Sequence, residues 1–197
     1  MNYLIIALLW IAYCFIHSYM ISIRFTVWLK QILKDYYAFY RFFYVIVSVV
    51  LLVPVLYYSS KLASGIIMTW NPPWSYIRYA LMILAIIVFL KAFFLDYDSL
   101  SFLGIRQMMT FRTNPVSQSQ TITRNGLLGI VRHPMYVAAI VFLWCQTFRL
   151  TDVVINVVLT TYFVIGTILE ERKLVLEFGE TYRQYQKEVP MLIPFWK

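Results

Sequence analysis

The densest run of side chains competent for chemistry lies between Arg124 and Tyr136, reading Arg-Asn-Gly-Leu-Leu-Gly-Ile-Val-Arg-His-Pro-Met-Tyr. An apolar stretch follows at once. Pro134 suits the first turn of a helix, where its missing N–H would have no partner, so Arg132 and His133 are expected at the N-terminal mouth of that helix. Unpaired backbone donors and the dipole at such a mouth favour an anion. Upstream, Gly126 and Gly129 permit a close approach of backbone to a ligand. The second cluster, Glu170-Glu171-Arg172, stands where the last apolar stretch ends. Adjacent carboxylates at a helix C-terminus oppose the dipole and need a compensating partner. Plainer readings exist: Arg132 and His133 resemble basic residues that reach towards lipid phosphates, and Arg172 or Lys173 offers Glu170 and Glu171 a local partner. A helical hairpin joining the two clusters favours a shared site instead. Cationic and anionic groups together match a zwitterionic ligand bearing a carboxylate and an ammonium group.

Composition dictates the elements that position these clusters. Of 197 residues, 61% are hydrophobic and 13% charged, where soluble domains carry about a quarter charged residues. Apolar runs near 3–23, 39–59, 74–95, 135–150 and 152–169 approach the ~20 residues that cross a bilayer. The sequence therefore predicts an all-α integral membrane protein with about five transmembrane helices. It reads as a single domain over 1–197, in which 1–95 supplies three spans and 96–197 supplies a polar loop, a hairpin and a tail that form the site. Only Thr151 and Asp152 separate the last two runs, which predicts a tight hairpin. Part of the polar stretch from Asp96 to His133 is expected to be helical, with a linker at 114–120.

The net charge is +8, yet no basic run interleaved with aromatics falls in an exposed segment, which argues against a nucleic-acid partner. The cations instead suit membrane lipids with anionic headgroups. Arg24, Lys30, Lys34 and Arg41 follow the first span; Arg106, Arg112, Arg124 and Arg132 follow the third; Arg172, Lys173, Arg183, Lys187 and Lys197 follow the fifth. Lys61, Arg78 and Arg149 remain for the opposite side. The positive-inside rule then puts the N-terminus outside and the C-terminus in the cytoplasm. Trp28, Trp70, Trp74 and Trp196 suit the interfacial belt. The first run lacks the basic flank and small-residue cleavage site of a signal peptide and reads as a retained span. Cys14 and Cys145 sit singly in apolar runs, so neither a disulfide nor a metal site is expected.

The motifs Arg132-His133-Pro134-Met135-Tyr136, Glu170-Glu171, Phe178-Gly179-Glu180-Thr181-Tyr182, Tyr185 and Val189-Pro190 resemble, in order and spacing, the isoprenylcysteine carboxyl methyltransferase and phospholipid methyltransferase superfamily. Within it, His17-Ser18, Phe102-Leu103-Gly104-Ile105-Arg106-Gln107, Glu170-Glu171-Arg172 and Val189-Pro190-Met191-Leu192-Ile193-Pro194 are similar to the bacterial membrane thiol methyltransferases that convert methanethiol to dimethyl sulfide. Met191 stands where prenylcysteine enzymes commonly carry a basic residue. The resemblance implies S-adenosylmethionine as cofactor, with Arg132, His133, Tyr136, Glu170 and Glu171 lining its pocket. His133, Tyr136 and one of the two glutamates would hold its amino-acid end, and Gly126, Gly129 and Val131 would lie along its nucleoside. Arg106 or Arg132 would orient the acceptor and favour a thiolate.

A small thiol or lipid-associated acceptor in a bacterial inner membrane follows from this resemblance. Prenylcysteine carboxyl groups and phospholipid amines are alternative acceptors within the same chemistry. An NADPH-dependent enzyme like the membrane sterol reductases, and a non-catalytic membrane scaffold, are the readings outside it. His17 reads as a satisfied interhelical polar residue, and Tyr182 and Tyr185 as packing at the membrane edge. The charge bias makes one outcome testable at once. A reporter fused after Lys197 is expected to be active if it works in the cytoplasm and silent if it needs the periplasm, and the reverse pattern overturns the orientation.

Overall fold

The computed structural model describes residues 2–62, 64–111 and 124–194. Arg112, the linker expected at 114–120, Trp196 and Lys197 lie outside the described residues. In chain order the elements are α1 (Asn2–Ile21), α2 (Ile23–Leu33), a 3-10 turn (Lys34–Phe39), α3 (Tyr40–Lys61), β1 (Ile66–Met68) and α4 (Trp74–Lys91) with a π turn (Ala92–Asp96). There follow α5 (Ser99–Phe102), α6 (Ile105–Met109), a 3-10 turn (Gly126–Gly129), α7 (Pro134–Trp144), β2 (Phe148–Arg149), α8 (Leu150–Phe178) and α9 (Glu180–Glu188). Among the described residues four helical stretches are long and apolar enough to cross a membrane: Asn2–Ile21, Ile23–Lys61, Trp74–Asp96 and Leu150–Phe178. The chain is a helical membrane protein, and its described part forms two compact units, Met1–Ser64 with Asp98–Gln118 and Gly65–Tyr97 with Ser119–Lys197.

In the first unit α1 and α3 are antiparallel partners joined by polar side chains. Lipid is as apolar as the helix surfaces, so hydrophobicity alone does not pair them; packing and interhelical hydrogen bonds do. Trp10, Tyr13, His17 and Met20 recur on one face of α1. Trp10 Nε1 donates to Ser59 Oγ at 3.0 Å, Tyr13 donates to the Ser48 carbonyl at 3.4 Å, and the Tyr40 hydroxyl donates to the Met20 carbonyl at 2.6 Å. Ser48 gives its own proton to the Tyr44 carbonyl at 2.8 Å. Its oxygen is therefore free to accept from His17 Nδ1 at 3.1 Å, while Tyr44 donates to His17 Nε2 at 2.7 Å. His17 is thus a satisfied interhelical residue. The loop after the third predicted span is partly helical as expected: α5 and α6 belong to this unit, where Arg41 Nε donates to the Phe102 carbonyl at 3.0 Å.

In the second unit α4 packs against α7, with Ala85 and Ala138 both buried at the contact, since small side chains let helices approach closely. Here the structure departs from the sequence reading. The span expected over 135–150 is the 11-residue α7, which rises only about 16 Å against the ~30 Å of a hydrocarbon core. Among the described residues four helical stretches, not five, have the length to cross. The chain completes its return in extended form: β2 pairs with β1 just before α4, Trp70 Nε1 donates to the Gln146 carbonyl at 2.9 Å, and Arg78 Nη1 donates to Thr147 Oγ1 at 2.9 Å. The hairpin bend accordingly lies over 145–149, not at Thr151-Asp152. Asp152 sits in the first turn of α8, where its carboxylate accepts the Arg149 N–H at 2.9 Å as a helix cap. A polar pair between apolar runs looks like a break, but here it starts a helix.

The α1–α3 seam predicts a measurable asymmetry between neighbouring serines. Ser59→Ala removes the acceptor of Trp10 inside the apolar layer and should lower stability by about 0.6–1.7 kcal/mol. Ser60→Ala, whose hydroxyl only caps the exposed Tyr57 carbonyl, should change nothing. Thermal unfolding of both variants in detergent checks this.

Candidate functional site

The site is assembled by one long helix, the loop before α7, and α9. The 29 residues of α8 rise about 43 Å, beyond what a bilayer core needs, and continue to Phe178 where the sequence had the last span ending near Leu169. Glu170 and Glu171 therefore lie inside a continuous helix rather than at its C-terminus. Neither pairs locally with Arg172 or Lys173 among the described residues.

Glu171, 7% exposed, gathers donors from two segments, the loop before α7 and α9. The Arg132 guanidinium meets it as a two-pronged fork, Nε to Oε1 at 2.5 Å and Nη2 to Oε2 at 2.8 Å. His133 Nε2 stands 3.0 Å from Oε1, Gln186 Nε2 donates to Oε2 at 2.7 Å, and the Tyr182 hydroxyl donates to Oε1 at 3.4 Å. Arg132 spends its remaining fork, Nη1, on the Gln186 carbonyl at 3.0 Å and on the Val189 carbonyl. A buried charge is tolerated only when its partners are this complete.

The backbone repeats the same junction. Arg132 N donates to the Pro190 carbonyl at 2.9 Å and His133 N to the Met191 carbonyl at 3.2 Å. The Tyr185 hydroxyl donates to the Leu128 carbonyl at 2.6 Å. Burial pushes the Tyr185 phenol up to about 12, which keeps it a donor at neutral pH. Tyr182, Tyr185 and Val189 form a buried apolar cluster against Leu174, Val175 and Phe178, so α9 folds back on the end of α8.

Glu170 points elsewhere. Its side chain is 41% exposed and accepts the Tyr136 hydroxyl at 2.9 Å, with His133 Nδ1 3.9 Å away. In the neutral imidazole, a proton on Nε2 given to Glu171 leaves Nδ1 an acceptor facing Glu170. Tyr136 is stacked between the rings of His133 and Phe163, both at 5.7 Å between centroids. Phe163 also lines an apolar cavity of about 310 Å³ bounded by Ala85, Phe89, Ala138 and Phe142. A second groove of about 450 Å³ runs along Glu171, Arg172, Gln186 and Met191.

Of the residues singled out in the sequence, Arg132, His133, Tyr136, Glu170 and Glu171 come together in the second unit. Val131 is buried just before them. Gly126, at φ 65°, and Gly129 are needed for close approach to the chain itself: a Cβ at 126 would lie 2.3 Å from Asp96 Oδ1, and one at 129 would lie 2.9 Å from the Arg124 carbonyl oxygen. Asp96 in turn accepts the Leu127 N–H at 3.2 Å. Arg106 belongs to the first unit, where its Nε pairs with Asp98 at 2.7 Å in an exposed ion pair. Sequence reasoning missed Gln186 and Asp96 and rated Tyr182 and Tyr185 as edge packing. Tyr182, Tyr185, Gln186 and Val189 follow i, i+3, i+4, i+7 spacing, a signal that α9 presents one face to the site. Among the described residues no cluster of potential metal ligands occurs.

Four membrane-length helices among the described residues, a polar junction in the last third of α8 and an exposed carboxylate beside it define a helical membrane protein with a charged site. The chain belongs to the family described as "Protein of unknown function (DUF1295)", whose model matches residues 18–189. It is similar to the methanethiol S-methyltransferase of Pseudomonas sp. (strain GM41(2012)), 32% identical over 55% of this chain and 41% of that protein. It is also similar to the methanethiol S-methyltransferase of Pseudomonas deceptionensis, 46% identical over 34% of this chain and 26% of that protein. The protein-S-isoprenylcysteine O-methyltransferase of Schizosaccharomyces pombe is 31% identical over 40% of this chain and 35% of its own length. These relatives bear out the superfamily resemblance seen in the motifs, and the chain spans less than half the length of each. No solved structure matches.

The geometry separates the two adjacent glutamates by role. Glu171→Gln leaves Arg132 buried without its counter-charge and should destabilise the protein by about 3–5 kcal/mol. Tyr185→Phe leaves the buried Leu128 carbonyl without its donor and should cost about 1–3 kcal/mol. Thermal unfolding, with proteolysis of the segment after Gly179 as a local readout, checks both; a Glu171→Gln protein as stable as the parent contradicts the junction.

Proposed function

We propose that the chain catalyses methyl transfer from S-adenosylmethionine to a small thiol such as methanethiol. The observation that carries this reading is the meeting of Arg132, His133 and Tyr136 with Glu170 and Glu171, the motif pair on which the superfamily resemblance rests, in a chain similar to proteins named methanethiol S-methyltransferase. We place the site at the cytoplasmic face of a bacterial inner membrane, in one domain over 1–197.

The residues present fit the amino-acid end of the cofactor. Glu170 Oε, His133 Nδ1 and the Tyr136 hydroxyl oxygen converge as acceptors, and Glu170 is open enough to receive an ammonium group. Glu171 is saturated by the chain's own donors, so of the two glutamates Glu170 is the binding one. Arg132 is likewise committed, and its part is to lock His133 and the 189–191 backbone in place rather than to touch the acceptor. Gly126, Gly129 and Val131 then serve as the backbone that carries Arg132 and His133.

When bound, S-adenosylmethionine supplies a methyl group already activated on a sulfonium. What remains for the chain is alignment and exclusion of water. Glu170 and His133 would hold the ammonium, with the Tyr136 ring kept in place between His133 and Phe163, and the acceptor sulfur must arrive as a thiolate, the nucleophilic form. A second reading is favoured by one observation. The apolar cavity ends on Phe163, beside Tyr136, and has no polar lining, which suits a lipid-borne acceptor such as prenylcysteine.

Membranes containing the protein, given labelled S-adenosylmethionine with methanethiol, prenylcysteine or phosphatidylethanolamine, decide between them. Methanethiol is expected to be methylated. A much higher kcat/KM for the isoprenoid compound moves the substrate to the second reading, and no transfer to any acceptor overturns the proposal. Glu170→Gln should weaken S-adenosylmethionine binding by about ten- to hundredfold, the effect of one lost charged hydrogen bond, with thermal stability unchanged. Unaltered affinity, read by calorimetry, puts the binding site elsewhere.

A further inference from the structure

One helix of the first unit has no place in the proposed chemistry. Ile23–Lys61 is continuous enough to count as a single apolar stretch of 39 residues, yet as one straight helix it would rise about 58 Å, nearly twice the ~30 Å of a hydrocarbon core. It is not straight. The chain breaks at Lys34, whose φ of 49° lies in the left-handed region, and passes through a 3-10 turn before α3, whose 22 residues span the core alone.

Where α2 must lie follows from the α1–α3 pairing. The Tyr40 hydroxyl bonds the Met20 carbonyl, so the chain leaves α1 and enters α3 at one level, and the 18 residues between Ile21 and Tyr40 run out and back at that end. Phe25 is seated there, with ring centroids 5.2 Å from Tyr19 and 6.2 Å from Tyr40.

The helix is two-faced about that seat. Phe25, Leu29 and Leu33 are half-buried towards the unit, and Trp28 and Ile32 on the same side are 53% and 55% exposed. Arg24 and Lys30 are exposed on the two flanks of the other side, with the exposed Ile23 and Val27 between them, and Lys34 is exposed just beyond the helix. None of the three makes an ion pair among the described residues, and Asp35 is the one acidic residue from Ile23 to Phe39. Exposed apolar side chains flanked by unpaired cations at the end of a membrane hairpin match one partner, a leaflet surface carrying negative charge.

We infer that α2 is an in-plane interfacial helix that binds acidic phospholipids, with Trp28 and Ile32 among the upper acyl chains and Arg24, Lys30 and Lys34 on the headgroup phosphates. The partner is the intact lipid, since the apolar side of α2 has no use for a soluble anion. Each cation near an anionic surface should contribute roughly a fivefold preference, on the order of a hundredfold together.

The test uses the full chain in detergent, offered equal amounts of phosphatidylglycerol and phosphatidylcholine, with retained lipid counted by native mass spectrometry. Phosphatidylglycerol adducts should dominate on the parent protein, and Arg24→Gln/Lys30→Gln/Lys34→Gln should abolish the preference while phosphatidylcholine adducts persist. On the unmutated protein the preference should also fall as salt is raised, a readout independent of how the variant folds. Equal retention of both lipids by the parent, a preference that survives the triple substitution, or one that ignores salt overturns the inference. Competition by water-soluble glycerol phosphate as strong as that of intact phosphatidylglycerol overturns it as well.

Discussion

A carboxylate taken out of water must be surrounded by donors, and in this chain that requirement falls on Glu171. Its two oxygens are reached by Arg132, His133, Tyr182 and Gln186, side chains that come from the loop before α7 and from α9. Removing any one segment would strand the charge. The fold of α9 onto α8, the pairing of the 189–191 backbone with Arg132 and His133, and the orientation of the His133 ring all follow from that single satisfied group. Because Glu171 is committed inward, its neighbour Glu170, a hundred degrees further round the helix, is left outward with a free oxygen.

Much of this was readable beforehand, and the reasons are physical. Spans one, two, three and the last were visible because a long apolar run is what a membrane-crossing helix requires. The Arg132–Tyr136 and Glu170–Glu171 clusters were visible because charge at the end of such a run is expensive and so stands out. What was not visible was the direction of each side chain. Adjacent carboxylates look equivalent in one dimension, and only the helix rotation between them makes one a structural anchor and the other an open acceptor. Asp152 was misjudged for a related reason: a polar residue between apolar runs marks a turn or a cap, and the hydrogen bond that distinguishes them is a three-dimensional fact. Gln186 carried no local signal beyond its place on the inner face of α9.

The two units meet the same solvent problem with different chemistry. In the first, hydroxyls and rings donate hydrogen bonds along the α1–α3 seam, Ser48 to the Tyr44 carbonyl, His17 to Ser48, Tyr44 to His17, so that these polar groups are paired within the apolar layer. In the second, α4 and α7 meet through alanines beside an apolar cavity, and the charged groups gather around Glu171. Neutral donors can be buried deep because each needs only one partner. The charged cluster sits at the end of α8 because it needs many.

The tie between Arg132 and residues 186–191 also sets an order of assembly. A ribosome delivers Arg132 more than fifty residues before the Val189 carbonyl that it binds, and Glu171 fifteen residues before Gln186. Throughout that interval the emerging chain holds a guanidinium and a carboxylate without the donors and acceptors that residues 182–189 supply. Chains cut short in this stretch lack the Gln186 and Val189 groups that complete the surroundings of Arg132 and Glu171.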